Sequence, residues 1–457
     1  MKELEKKGIP TVALVSDDFI DDHQRTAQTM GIPDLPYARM SAPLVSQTED
    51  EVNAIVDGAI DMVVGALTQA PKAAKGGGHS VTLLKEPWLT FEGADLLEAA
   101  HQMNERLIEL QYSDGLPLIP PTRSLVDRML AGTTRARDEV MGLLEPGGGA
   151  ATVEKIAINA VMAGCQPRHL PIVIAAMECL MDYHMDVREK AISTGPAAPF
   201  IMVNGPARAL AGLNQGICML GPGSPSRSNT VIGRALRLSM MNIGHIYPAI
   251  SDMDTIGTPN KYSMCLTENQ ENSPWEPYHV SQGLGAEESS VTVGWVYGLV
   301  DLTDYHSLTP EVAIKKWATA AKYMGVTSTG YWLVGQRSDP RYGNKEQEHH
   351  YLLLAPQHAR IFEKAGWTKR DIAEALHREA RLPFGFVSSR LEKSAIQSAH
   401  PELDWLWDSP DALVPVLEDS RCWEVIVAGS NGSNRSSFAW GMGGPLTKPI
   451  LEADLKL

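Results

Sequence analysis

The sequence predicts an α/β protein, with a small N-terminal β-α-β-α unit followed by a larger, Gly-rich α/β body. Three observations carry this. Apolar runs such as Ile9-Pro10-Thr11-Val12-Ala13-Leu14-Val15, Phe200-Ile201-Met202-Val203 and Glu424-Val425-Ile426-Val427-Ala428 have the length and composition of buried strands. Stretches of helical length and periodicity alternate with them, over 49–67 and 228–242 among others. The run Pro71-Lys72-Ala73-Ala74-Lys75-Gly76-Gly77-Gly78 then reads as a linker. It divides the chain into an N-terminal unit (1–70), a linker (71–80) and a catalytic or substrate-binding body (81–457).

In the first unit, 2–7 reads as the tail of a helix closed by Gly8, and 9–15 as a parallel strand covered on both faces. Ser16-Asp17-Asp18 opens a helix to Met30, stopped by Gly31 and Pro33; 37–40 is a second strand and 49–67 a long amphipathic helix. In the body, a helix over 93–111 precedes Asp114-Gly115-Leu116-Pro117-Leu118-Ile119-Pro120-Pro121-Thr122, whose prolines force an extended path. Helices follow over 124–131, 152–163 and 170–181, the last apolar enough to be buried. Strands are expected at 200–203, 291–299, 350–354 and 424–428, and helices at 228–242 and 368–379. The last of these opens with Thr368 as N-cap and Asp371 three residues on, a capping-box variant.

Composition narrows the function. The chain has 457 residues, of which 44% are hydrophobic and 21% charged, which is globular rather than disordered. Its net charge of -15, without a long Lys/Arg cluster, argues against nucleic acid and anionic membranes as partners. No apolar run is long enough to span a bilayer, and Met1-Lys2-Glu3-Leu4-Glu5-Lys6-Lys7 is not a secretory signal. The five cysteines, at 165, 179, 218, 265 and 422, are widely spaced, with no CxxC pair. Free thiols in a reducing cytoplasm are expected, and no metal site.

Four places have the residue types for chemistry. Asn204-Gly205-Pro206 and Gly221-Pro222-Gly223-Ser224-Pro225-Ser226-Arg227-Ser228-Asn229 combine glycines, which let backbone approach a ligand, with residues that cap a helix N-terminus, where anions bind. Asn204, Gly205, Gly221, Gly223, Ser226 and Asn229 are therefore candidate binding residues. Gly429-Ser430-Asn431-Gly432-Ser433-Asn434-Arg435 follows a strand, and in open α/β sheets ligands bind beyond strand carboxyl ends. Asn431 and Asn434 would bind there, with Arg435 pairing a carboxylate bidentately. If 200–203 and 424–428 share a parallel sheet, these two loops lie side by side. Cys165, between two helices, is a candidate nucleophile; its bland alternative is a buried structural thiol. Glu268, Glu271 and His279 lie in an acidic stretch that also holds Trp275, and supply acids, bases or a charged surface loop. His349 and His350 adjoin a strand, where neighbours face opposite sides, so at most one joins a site; an exposed histidine is the expectation.

At Leu4-Glu5-Lys6-Lys7-Gly8-Ile9-Pro10-Thr11-Val12-Ala13 the chain resembles the UGSC-motif family. The body resembles proteins carrying that domain, through Asp114-Gly115-Leu116-Pro117, Asn159-Ala160-Val161-Met162-Ala163-Gly164-Cys165, Val203-Asn204-Gly205-Pro206, Ile232-Gly233-Arg234-Ala235-Leu236-Arg237 and Ser273-Pro274-Trp275-Glu276-Pro277. The resemblance implies a thioredoxin-like N-terminal domain and thiol or selenol chemistry, from a Cys- or selenocysteine-Gly-Ser-Cys motif shortly before this helix and strand. The sequence departs from that pattern, since no cysteine precedes Cys165. Either the motif is lost, or the start at Met1 lies downstream of a UGA codon read as a stop. The expected function is a cytoplasmic enzyme acting on a small anionic, carboxylate-like substrate by thiol or selenol redox or covalent chemistry, of oxidoreductase or lyase type. The alternative is a protein that binds a small acid, or scaffolds a partner, without chemistry. Cofactor and oligomeric state stay open.

Overall fold

The computed structural model describes residues 4, 7–20, 23–24, 27, 34–41, 47–68, 88–335, 348–389, 391–432 and 434–456. They form two compact units, residues 1–116 with 244–253 and residues 117–243 with 254–457. The division falls after Leu116, and the expected linker at 71–80 lies outside the described residues.

The first unit has two parallel strands, β1 (Ala13–Ser16) and β2 (Tyr37–Met40), with Ala13 opposite Tyr37 and Ser16 opposite Met40. The strand is shorter than expected from 9–15 and is not covered on both faces, since Ile9 is 49% and Leu14 57% exposed. A ribbon of two strands has too few neighbours to bury both sides. Ser16 leads into a short 3-10 turn (Asp17–Phe19), after which Ile20, His23, Gln24 and Ala27 are helical, in line with the expected helix; much of the remainder to Met30 lies outside the described residues. Helix α1 (Glu49–Thr68) matches expectation and packs on β2. Thr48 and Glu51 close its start reciprocally: Thr48 N and Oγ1 donate to Glu51 Oε2, and Glu51 N donates back to Thr48 Oγ1. In α2 (Leu96–Glu109), Asp95 caps the N-terminus by accepting from Leu97 N and Glu98 N.

The second unit opens with α3 (Arg123–Leu130), capped by Thr122. A hairpin of β3 (Val140–Leu144) and β4 (Gly149–Thr152) follows, which the sequence reading missed. Thr152 then caps α4 (Val153–Ala163), and Gly164 ends it in the left-handed region at φ 90°, as a residue without Cβ can. In α5 (Leu170–Leu180) every residue except Glu178 is buried, because the helix lies between the sheet and its neighbouring helices.

The sheet combines β5 (Ala198–Asn204), β6 (Cys265–Thr267), the long β7 (Ser290–Thr303) and β8 (His350–Leu354) with three later strands. The hairpin of β9 (Arg381–Pro383) and β10 (Leu413–Pro415) stands apart. The later strands of the sheet are β11 (Trp423–Val427), β12 (Arg435–Gly441) and β13 (Leu446–Pro449). The order is β11-β8-β12-β7-β5-β6, with β13 beside the start of β7. The sheet is mixed. β5 runs antiparallel to β7, β7 to β12 and β12 to β8, while β8 and β11 are parallel. Strands β5 and β11 therefore point in opposite directions, so the parallel-sheet argument for bringing their following loops together does not hold. The sheet instead curls until its edges meet, and Asn269 N, just beyond β6, donates to Val427 O at the end of β11 over 2.7 Å.

The concave face holds Phe200, Met202, Leu266, Tyr351, Leu353 and Ile426. On the other face, α6 (Arg227–Asn242) packs against α4. Helices α7 (Tyr278–Ser281), α8 (Pro310–Met324), α9 (Pro356–Lys364) and α10 (Lys369–Glu379) come later in the chain. Trp317 of α8, Phe362 of α9 and Leu376 of α10 bury the outer sides of Leu352, Leu354 and Val427. Each such side chain stabilises the fold by roughly 1.5–3 kcal/mol relative to exposure.

Candidate active site

Strand register places a thiol, an imidazole and a carboxylate together. In the parallel pair β8/β11, His350 is opposite Trp423 and Tyr351 opposite Glu424, so His349 and Cys422 are neighbours one step earlier. Alternation turns His350 to the helical side, where it meets Ser328 and Trp423, and leaves His349 on the side of Glu424. His349 Nδ1 lies 2.9 Å from Glu424 Oε1, and the ring also hydrogen-bonds the Cys422 side chain. Gly441 backs this arrangement from β12: a Cβ there would come within 2.2 Å of His349 O, so only glycine lets the strands approach.

Burial alone would lower the pKa of His349, but the Cys422 and Glu424 side chains outweigh it and raise it from the usual 6.5 to about 10. The ring is protonated at neutral pH and donates Nδ1–H to Glu424. Burial pushes the adjacent Glu348 up to about 7, against the pull of Lys190 and His349. Because the folded pKa of His349 is the higher one, its contribution to stability is complete below pH 6.5 and disappears as pH rises through 10. The gap in urea midpoint between wild type and His349→Gln is therefore expected to be widest near pH 6 and to close by pH 10. A gap that widens with pH would contradict the assignment.

Two connected recesses open on these residues. The smaller, of about 260 Å³, is lined by Cys422, His349, Glu424, Tyr278, Arg421 and Thr447 among others. The larger, of about 1100 Å³, shares Tyr278, Glu424 and Arg421 and extends to Lys369 and Trp275. Lys369, the first residue of α10, reaches back to the buried Glu268, with Nζ 2.8 Å from Oε1. The other oxygen of Glu268 accepts from Asn204 Nδ2 and Tyr278 N, each at 2.6 Å. The capping box of Thr368 and Asp371 forms as expected and fixes the start of α10 on the rim of this cleft.

The residues selected from sequence fare unevenly. Glu268 and Asn204 meet, as a buried support beneath the cleft rather than as groups facing it. Glu271 pairs with Arg208, and His279 is buried with neither ring nitrogen hydrogen-bonded among the described residues. Cys165 does not have the low pKa that a nucleophile at a helix start needs. Burial pushes its thiol well up, and the thiol donates to Val231 O. Gly205 is required by the chain itself, with φ 77° and a Cβ position 2.2 Å from Glu288 O. Gly221 and Gly223 occupy positive-φ turn positions. Ser226 Oγ donates to Cys218 O, while Asn229 bonds Asn214 and Cys265, so both polar side chains are satisfied within the protein. Asn431 is exposed, and Asn434 O accepts from Asp304 N. Arg435 begins β12 instead of lying in a loop, and pairs with Asp301 at the surface. An exposed pair of this kind contributes little, so Arg435→Ala is expected to leave both the urea midpoint and the reactivity of Cys422 unchanged within error; a clear drop in either would restore Arg435 to the site.

The 204–229 and 429–437 segments do approach a common element. Gly205 N donates to Gln270 Oε1, and Asn269 Nδ2 donates to Gly429 O over 2.8 Å. Curling of the sheet brings them there. Sequence reasoning passed over Cys422, Glu424, Tyr278, Arg421 and Lys369. The available signal was the alternation Cys422-x-Glu424 entering one strand and His349-x-Tyr351 entering another.

Fold and site together define a mixed α/β body carrying a Cys-His-Glu cleft. Residues 3–69 match the UGSC family, so the N-terminal stretch is a UGSC-family segment, as the resemblance implied. The match ends before the body that holds the cleft. No curated protein and no solved structure matches this chain. Among the described residues, no helix is long and apolar enough to cross a membrane, and no three His, Cys, Asp or Glu side chains are arranged to hold a metal.

Proposed function

We propose that the body is a thiol-dependent enzyme that acts covalently on a small carboxylate-bearing substrate, by acyl transfer at Cys422. The observation that carries this reading is the placement of Cys422, His349 and Glu424 side by side at the mouths of two adjacent strands, lining a recess. The attacking form of cysteine is the thiolate. The His349 imidazolium beside it supplies the counter-charge and then a proton for the leaving group, while Glu424 holds the ring. Arg421, next to the thiol in sequence and lining both recesses, supports recognition of a carboxylate.

Titration with chloro-nitrobenzofurazan, followed by peptide mapping, tests the assignment. Cys218 is the exposed cysteine and sets the rate for an ordinary thiol. Cys422 is expected to react faster than Cys218 despite its burial, and Cys422→Ser to lose that phase. If Cys218 alone reacts, the chain is a binder and not a thiol enzyme.

A further inference from the structure

The two recesses differ in size and in chemistry. The smaller, of about 260 Å³, is lined by Cys422 and His349; the larger, of about 1100 Å³, is lined by neither. They join at Arg421, Glu424 and Gln282, which line both. The larger one has an apolar wall, made by Trp423 and Val425 of β11, Ala373 of α10 and Trp275. Trp275 uses its one polar side-chain atom inside the protein, with Nε1 donating to Trp367 O over 2.9 Å, and packs against the outer core. Ala373 lies one helical turn after Lys369, so the two share a side of α10, and its methyl group leaves depth that a longer side chain would take. The two cations that line this recess alone are already matched. Lys369 Nζ bonds Glu268 Oε1 and Glu276 O, and Arg370 pairs with Glu374. An apolar wall whose neighbouring cations are paired favours an apolar occupant, because nothing polar need lose its partner to admit one.

We infer that the larger recess holds the acyl part of the substrate, and that this part is apolar and much longer than acetyl, an assignment that rests on the acyl-transfer reading above. His349 decides which part goes where. It supplies the proton of the leaving group and lines only the smaller recess, so the leaving group stands there. The acyl tail runs the other way, past Glu424 towards Ala373 and Trp275. The Cys422 thiolate sulfur forms a bond to the acyl carbon. The bond from that carbon to the leaving oxygen breaks, and the oxygen keeps the electron pair and takes the proton of the His349 imidazolium. Water then cleaves the thioester to the free acid and returns a proton to His349. Ala373 is a specificity-determining residue in this arrangement, since its side chain sets how far the tail can extend.

The test compares p-nitrophenyl hexanoate with p-nitrophenyl acetate on the full chain. Nitrophenolate release and the mass of the Cys422 peptide give the two rates, and N-acetylcysteine serves as the reference thiol. Each methylene taken out of water favours binding about fourfold, and hexanoyl carries four more than acetyl. Relative to N-acetylcysteine, Cys422 is therefore expected to prefer the hexanoate by at least about tenfold. In Ala373→Phe the preference should fall to that of N-acetylcysteine, and Ala373→Val should lie between. A ratio of two rates at one thiol cancels any loss of reactivity common to both esters. Far-ultraviolet circular dichroism checks the fold of each variant, and Ala373→Val decides alone if the bulkier ring prevents folding. A wild-type preference equal to that of N-acetylcysteine, or one that folded Ala373 variants leave unchanged, overturns the acyl site while leaving the Cys422 assignment standing. A wild-type Cys422 that chloro-nitrobenzofurazan labels but neither ester acylates overturns the acyl-transfer reading itself, and the inference with it.

Discussion

His349→Ala is expected to slow acetylation of Cys422 by p-nitrophenyl acetate by at least about 10³-fold, because members of such a constellation act as a unit. In the proposed mechanism the ring provides the charge beside the thiol and the proton for the leaving group, and among the described residues no other histidine lines either recess. Glu424→Gln is expected to fall between the variant and wild type. It keeps the shape of the side chain but replaces the charge that His349 Nδ1 meets at 2.9 Å. Stopped-flow nitrophenolate release, with mass spectrometry of the Cys422 peptide, reads both. An alanine variant that acetylates at the wild-type rate would remove His349 from the chemistry and leave its pairing with Glu424 as packing.

The second large effect is on stability. Lys369→Met is expected to destabilise the fold by roughly 3–5 kcal/mol, the range for breaking a buried pair by removing one partner. Glu268 has no exposed surface, and among the described residues Lys369 is the cation paired with its carboxylate. Without Lys369, a carboxylate holding hydrogen bonds from Asn204 and Tyr278 is left with its charge uncompensated. The double variant Lys369→Met with Glu268→Gln should recover much of the loss, because a neutral amide needs no counter-ion. Urea unfolding of the three variants gives the comparison. Additive losses in the double variant would show that the two residues are not coupled.

Legibility followed the range of the interactions. Local devices were readable: the cap Thr368, the helix end at Gly164, and the apolar strands ending near 203, 354 and 427. Each depends on a few neighbouring residues. The site depends on register instead. Nothing near residue 349 indicates that its partners stand 73 and 75 positions later, at Cys422 and Glu424. The 204–229 stretch misled for a related reason. Glycine is compatible with a ligand or with another part of the chain lying close by, and at Gly205 the close neighbour is Glu288 O. Cys165 had a suitable local setting, but its thiol donates to Val231 O, 66 residues away in sequence. The strand directions were equally hidden, since an apolar run signals a buried strand without telling which way it points.

The seam where the curled sheet closes also bears on how the folded protein comes into being. Its ends are joined by Asn269 and Gly429, 160 residues apart. Joining such distant segments requires loop-closure entropy to be overcome before any contact at the seam repays it. The helices need no such closure. During refolding, far-ultraviolet signal should therefore return ahead of the reactivity proposed for Cys422, and any fragment ending before β11 will lack the candidate site however well its helices form.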